Sequence, residues 1–215
     1  EFDSPTGYKC SDLTSEHFFY KKCMQKIKEI YNQEIEHLVS AVKQASNPYH
    51  TFSLSTINEN FPENRTVVLR NILSAPLTIF FNADYRSNKV KELINNQNAC
   101  ALFYDQSRKI QIRMNCNAVI HHKNDIALKR WDKTALQSRK CYLGPYTPSI
   151  RLDNWHPNVP DDCIDTDPTD NQSKKGYENF AHIELNVLEI DILKLRYNGH
   201  IRFKVDGQSM YYVSP

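Results

Sequence analysis

The sequence predicts a mainly β, α+β fold, an antiparallel β-barrel, closed or nearly closed, with helices packed around it. Three observations predict this. Six to eight short strand-like stretches follow one another mostly through hairpin turns. They lack the regular strand–helix alternation that an open parallel sheet requires. The 215 residues contain only five glycines, and no Gly-rich phosphate loop or dinucleotide fingerprint occurs among them.

The elements are read in chain order. Cys23, Ile27, Ile30, Tyr31, Leu38, Val39 and Val42 recur at helical spacing with Lys and Glu between them, which predicts a helix over 15–46 ended by Asn47-Pro48. Phe18, Phe19, Met24 and Ile27 read as its packing face. Alternation at Phe52, Leu54 and Thr56 predicts a strand. The polar stretch "NENFPENR" reads as a turn into the β-branched strand "RTVVLRNI" over 65–72. Another strand covers 77–81, and a helix runs over 87–95. Residues 99–104 and 109–116 form a hairpin across "DQSR". A further helix fits 124–136. A long irregular connection with five prolines spans 144–179, and loops of that length are functional or mobile. Strands over 180–187, 190–195, 201–205 and 211–213 close the chain. The expected organisation is an N-terminal extension and helix over 1–48 packed on a barrel domain over 49–215.

Bulk properties narrow the function. A net charge of +2 argues against a nucleic-acid or membrane surface, and no apolar run reaches the ~20 residues of a membrane span. The start of the chain has no basic-then-apolar leader pattern. Six cysteines at long, irregular intervals, without a Cys-x-x-Cys pair, exclude metal-cluster spacing and favour a reduced, cytoplasmic setting. Cys100 and Cys116 read as core fillers. His121-His122 lacks a third metal ligand. Asp161, Asp162, Asp165 and Asp167 lack the glycine and closing glutamate of a calcium loop.

If the protein holds a phosphate, side chains and helix ends must do it. The stretch "FFNADYRSNKVKEL" sets Arg86, Ser87 and Lys89 at a helix start, where acids are normally favoured. Ser87 suits an N-cap, and the cations suit a phosphate lying on free N–H groups. The alternative is solvated surface charge, with Asp84 pairing Arg86. Arg65 and Arg70, five apart, point to opposite faces of an ideal strand. They reach one ligand only if the strand bends or ends, or if they serve different parts of it.

In this order the motifs resemble the pyridoxamine 5'-phosphate oxidase-related FMN-binding proteins of the split-barrel fold. "RTVVLR" stands for the family's Arg-x-Val-Leu-Leu-Lys strand, with Arg70 in place of lysine. "FFNADYRSNK" stands for its aromatic strand and Ser-Arg-Lys helix start, closest to a subgroup with Arg-Ser-x-Lys. "KIQIR" corresponds to its Arg-Gln-Val strand, and "NGHIRF" to its Arg-x-His-x-Arg segment with Asn198 replacing the first arginine. The resemblance runs over about 50–205, and 144–179 has no clear counterpart.

The resemblance implies FMN as cofactor. Arg65, Ser87 and Lys89 would bind its phosphate, Arg70 and Arg202 would lie along the ribityl chain or the ring, and Gln111 would bond the polar edge of the isoalloxazine. Val67, Val68, Asn82, Ala83, Arg86 and Asn88 would complete the cofactor contacts. A homodimer with FMN between subunits is implied, so one chain cannot complete the site. Ser138 and Arg139, in "LQSRKCY", and His200 would be substrate contacts. An aromatic wall of the flavin is replaced near Leu193. The expected activity is hydride transfer from a small substrate to the flavin. The alternatives are a flavin carrier or sensor without turnover, or a barrel that uses another cofactor such as haem or a deazaflavin.

Overall fold

The computed structural model describes residues 11–215, with side chains from residue 21 onward. The Phe18 and Phe19 part of the expected packing face therefore lies outside the described side chains. The first helix, α1 (Ser11–Ala41), buries Ile27, Ile30 and Leu38 in the same apolar cluster as the strands, while Val39 is exposed. It ends earlier than expected. The His50 ring donates to the Ala41 carbonyl (2.7 Å), so the helix terminus is satisfied by a side chain from beyond the turn. Asn47 instead caps the short 3₁₀ turn Pro48–His50.

Strand β1 (Thr51–Asn58) pairs with β2 (Phe61–Val68) through a two-residue turn in which Glu59 adopts φ 55°. Most of "NENFPENR" is thus strand rather than turn. Pro62 is tolerated because β2 has a strand neighbour on one side only. β3 (Asn71–Ser74) and β4 (Leu77–Asp84) follow, then α2 (Asn88–Asn95). The hairpin of β5 (Asn98–Asp105) and β6 (Ile110–His121) lies where the sequence puts it. Next come α3 (Asp125–Asp132), α4 (Leu136–Arg139) and α5 (Asp170–Ser173). The two expected strands after the loop are one, β7 (Phe180–Lys194), carried past an irregularity in its pairing at Asn115/Cys116 that leaves Leu188 exposed. β8 (Ile201–Asp206) and β9 (Ser209–Tyr212) finish the chain.

Every strand pairing is antiparallel, in the order β2-β1-β5-β6-β7-β4-β3, with β8 and β9 added beside β7. The two ends of this path are consecutive pieces of chain. Val68 still pairs with Thr51 of β1, and the Leu69 N–H donates to His50. One residue later the Arg70 N–H donates to Phe80 of β4 (2.8 Å). The expected strand over 65–72 therefore changes partner at 69–70 and brings the sheet back onto itself as a barrel.

The barrel interior is filled by Phe52, Leu54, Phe81, Phe103, Met114, Leu185 and their neighbours. A second, smaller cluster of Ala127, Trp131, Tyr142 and Phe180 lies under the long connection. The N-terminal helix is locked to the barrel by a polar network. Buried Glu34 accepts from the Tyr49 hydroxyl (2.7 Å) and from Arg108 (2.7 and 2.9 Å), and Arg108 also donates to Asp105 (2.6 Å).

Candidate functional site

Arg65 sits on β2 opposite Leu54, so its side chain shares the face that looks into the barrel. It donates to Thr56 and to Glu92 of α2 (2.9 Å), a carboxylate that is almost wholly buried. This ties the strand to the helix. At the start of α2, Ser87 occupies the N-cap position but makes no capping bond, and its hydroxyl donates to the Asp84 carbonyl (2.6 Å). The N–H groups of Val90 and Lys91 reach the Ser87 carbonyl. Those of Asn88 and Lys89 have no acceptor among the described residues.

Glu63, Asn64, Arg65, Ser87, Asn88, Lys89 and Glu92 surround a cleft of about 280 Å³, closed on one side by Pro148 and Ser149 of the long connection. Burial, and then the charge of Arg65, hold the Lys89 ammonium below its ordinary value. An incoming anion would relieve that repulsion. The opposing pulls of Asp84 and Glu92 are smaller and do not cancel the effect. Two free helix N–H groups, a guanidinium and an ammonium around one cleft form a donor set that fits a phosphate.

The structure distributes the remaining expected residues differently. Arg86 is not turned to the cleft. It clasps Asp84 through two bonds (3.0 and 2.6 Å) and donates to the Gly144 carbonyl (3.1 Å). Val67 is buried inward and Val68 half-buried beside it. Arg70 stands at the partner change between β2 and β3, so the bend falls between the two arginines. Its carbonyl accepts from Arg130 of α3 (2.8 Å). Arg130 keeps a buried Nε without a partner among the described residues, and its guanidinium is held below its ordinary value by burial and by the charge of Arg70.

Asn82, next to buried Ala83, accepts from His182 (2.8 Å) on the outer face of β4 and β7. His182 stacks on Phe80 (5.2 Å) and is pushed down to about 4 by burial, then by Arg130 and His121. Sequence reasoning missed Arg130 and His182. A lone arginine in a helix pattern and a histidine in a strand carry no signal without the register that brings them together.

Gln111, Leu193 and Arg202 lie in one row across β6, β7 and β8, away from the cleft. Arg202 donates twice to buried Asp191 (3.0 and 2.7 Å), which also receives Arg113 (2.7 Å). Burial alone would raise the Asp191 carboxyl, but these cations hold it below the usual carboxylate value.

Arg139 is buried. It lies over the Trp131 ring (5.0 Å) and donates to Thr134, Asp132, Asp170 and Ser173. Ser138, half-buried, precedes it in α4. His200 lies in the exposed turn before β8 rather than within a strand, where its Nδ1 accepts from the Arg196 N–H (3.1 Å). His121 donates to Glu184 (3.0 Å), while His122 donates to the Phe180 carbonyl and stacks on Tyr85, so the two rings serve different elements. Cys116 is buried and its thiol pushed up to about 12, as suits a core filler.

Comparison with known proteins agrees with the fold and the motifs. Residues 22–122 match the family model of the pyridoxamine 5'-phosphate oxidase FMN-binding domain. That stretch runs from α1 through β6 and contains every cleft residue except Pro148 and Ser149, and the matched domain is an FMN-binding one, as the resemblance implies. A search of curated proteins finds no match.

Among solved structures, the chain is similar to a pyridoxamine 5'-phosphate oxidase-related FMN-binding protein of Nostoc punctiforme (21% identity, TM-score 0.66). The alignment covers 86% of this chain and 97% of that one. It is also similar to PhzG of Burkholderia lata, solved with tetrahydrophenazine-1-carboxylic acid (15% identity, TM-score 0.60, 88% and 92% covered). These likenesses identify the fold. No helix among the described residues is long and apolar enough to cross a membrane.

Proposed function

We propose that this chain binds FMN with the phosphate in the cleft formed by Arg65, Ser87, Asn88 and Lys89, and that it is an oxidoreductase acting on a small molecule. The cleft carries the reading, because it gathers free helix N–H groups and two cations in the stretch that matches an FMN-binding family model. FMN, when bound, would supply hydride acceptance from the substrate and its transfer onward to an acceptor. The chain's own part is positional. Lys89 and the α2 N-terminus hold the anion, Glu92 and Thr56 orient Arg65 against it, and Arg70 stands at the bend between β2 and β3.

Gln111 and Arg202 stand outside this cleft, on the outer face of β6–β8. That separation supports a homodimer in which each cofactor site is completed by a second copy. The reading is tested by purifying the protein and recording its visible spectrum before and after adding FMN. Flavin bands that co-elute with the protein are expected, and a colourless protein that ignores FMN would overturn it. Release of hydrogen peroxide with pyridoxamine phosphate would identify the substrate class.

A second reading, a flavin carrier without turnover, draws on Arg139 and His200, expected to touch substrate, and on Arg202, expected to lie along the cofactor. Arg139 is buried with its donors used, Arg202 is committed to Asp191, and His200 is tied into a surface turn. Substrate-dependent bleaching of bound flavin under anaerobic conditions decides between the two.

A further inference from the structure

The connection over 144–158 belongs to none of the motifs that point to the cofactor, yet it supplies one wall of the cleft. It is a closed loop with its own fastenings. Gly144 lies so near Asn158 that a Cβ would come within 2.3 Å of the Asn158 carbonyl oxygen. Asn158 then grips Tyr146 from both sides: its side-chain oxygen accepts from the Tyr146 N–H (3.0 Å) and its Nδ2 donates to the Tyr146 carbonyl (3.1 Å). The Asn158 N–H donates to His156, whose ring meets Tyr146 edge-on (4.9 Å). The neck of this loop is fixed to the cofactor side of the barrel by Arg86. Asp84 orients that guanidinium in two bonds, and its remaining arm donates to the Gly144 carbonyl. Pro148 and Ser149, held by these fastenings, face the α2 N-terminus across the cleft, and Ser149 adopts φ 69°.

We propose that 144–158 is a strap that retains a phosphate monoester in the Arg65–Lys89 cleft, and that Arg86 is the positioning residue that fastens it. This rests on the FMN reading. The arginine of the Arg-Ser-x-Lys stretch then acts through the loop, and Lys89 acts on the phosphate itself. Loops closed at the neck and packed on their own side chains are suited to this, because they move as a unit instead of fraying. The strap governs escape of the ligand more than its entry, so its loss shows in the dissociation rate.

The test uses the full chain loaded with FMN. Release is followed by the recovery of flavin fluorescence on dilution, for wild type, Gly144→Ala, Arg86→Met and Asn158→Ala, each first checked for native circular dichroism. Release about ten-fold faster in the variants is expected. FMN should also slow tryptic cleavage after exposed Arg151 in the wild type and fail to do so in the variants. Arg86→Met and Asn158→Ala keep the test alive if Gly144→Ala does not fold. Variants that release FMN at the wild-type rate, with Arg151 equally protected, would overturn the strap and leave the cofactor reading intact. A wild type that takes up no FMN overturns both.

Discussion

Lys89 and Arg65 illustrate why two cations in one cleft have different duties. Lys89 has no ion-pair partner among the described residues, so on the proposed reading its removal subtracts a contact to the phosphate and little else. Lys89→Ala is expected to weaken FMN binding by about 1.5–3 kcal/mol, measured by fluorescence titration, with unfolding unchanged. Arg65→Ala strands the buried Glu92 carboxylate and the Thr56 hydroxyl as well. It should lower stability by about 1–3 kcal/mol in denaturant, and Glu92→Gln should recover part of that.

Proton linkage gives a second signature of the same lysine. Its ammonium is held below the ordinary 10.5 by burial and by Arg65, so affinity for FMN should fall with rising pH before an unperturbed lysine would titrate. Lys89→Arg should flatten that decline. His182 runs the other way in pH. Its folded value of about 4 lies below the ordinary 6.5, so the unfolded chain binds the proton more readily between those limits. Stability is therefore complete above pH 6.5 and falls as the pH drops toward 4. Thermal unfolding of His182→Asn should show a shallower fall.

At the scale of elements, the helices α1, α2 and α3 and the β5–β6 hairpin were legible because their apolar spacing answers to burial on one face. Ile27 and Leu38 in α1, and Ile110, Ile112 and Met114 in β6, are buried as the pattern implies. What escaped were features set by partners far away in sequence. Pro62 reads as a turn residue until β2 is known to be an edge, and the end of α1 depends on a ring that returns from residue 50. The start of α2 at Ser87 was readable because a cap position is marked by local sequence. The Arg86 clasp on Gly144 was not, since it joins residues 58 apart.

Glu34 was equally hidden, as an acid on a helix that reads as a solvated face. It is buried against Tyr49 and Arg108, so Glu34→Ala should cost about 3 kcal/mol by chemical denaturation and loosen α1 from the barrel.

For the whole molecule, the apolar core of the barrel and the smaller cluster around Trp131 meet at the start of β7, where Phe180 of one adjoins Ala181 of the other. The segment after residue 144 is thereby tied to the barrel through Arg139 as well as through Arg86. With Gln111 and Arg202 standing apart from the cleft, sedimentation should report a dimer. Substitution of exposed Leu188 by glutamate tests whether the contact extends to the β7 bulge: a shift to monomer with weakened FMN binding is expected if it does.

The crossing from one neighbour to another at Leu69–Arg70 has a geometric corollary. Inward side chains fall on odd residues along β2 up to Leu69 and on an even one, Ile72, in β3, so the hinge sets the count anew, as if staves around a cask were numbered afresh there. Excise one residue there, and everything on one flank is inverted while the other flank stays as it was. Such a deletion would turn oily groups out to water on half a stave, and would harm the protein far more than the same cut in the hairpin turn at residues 59–60.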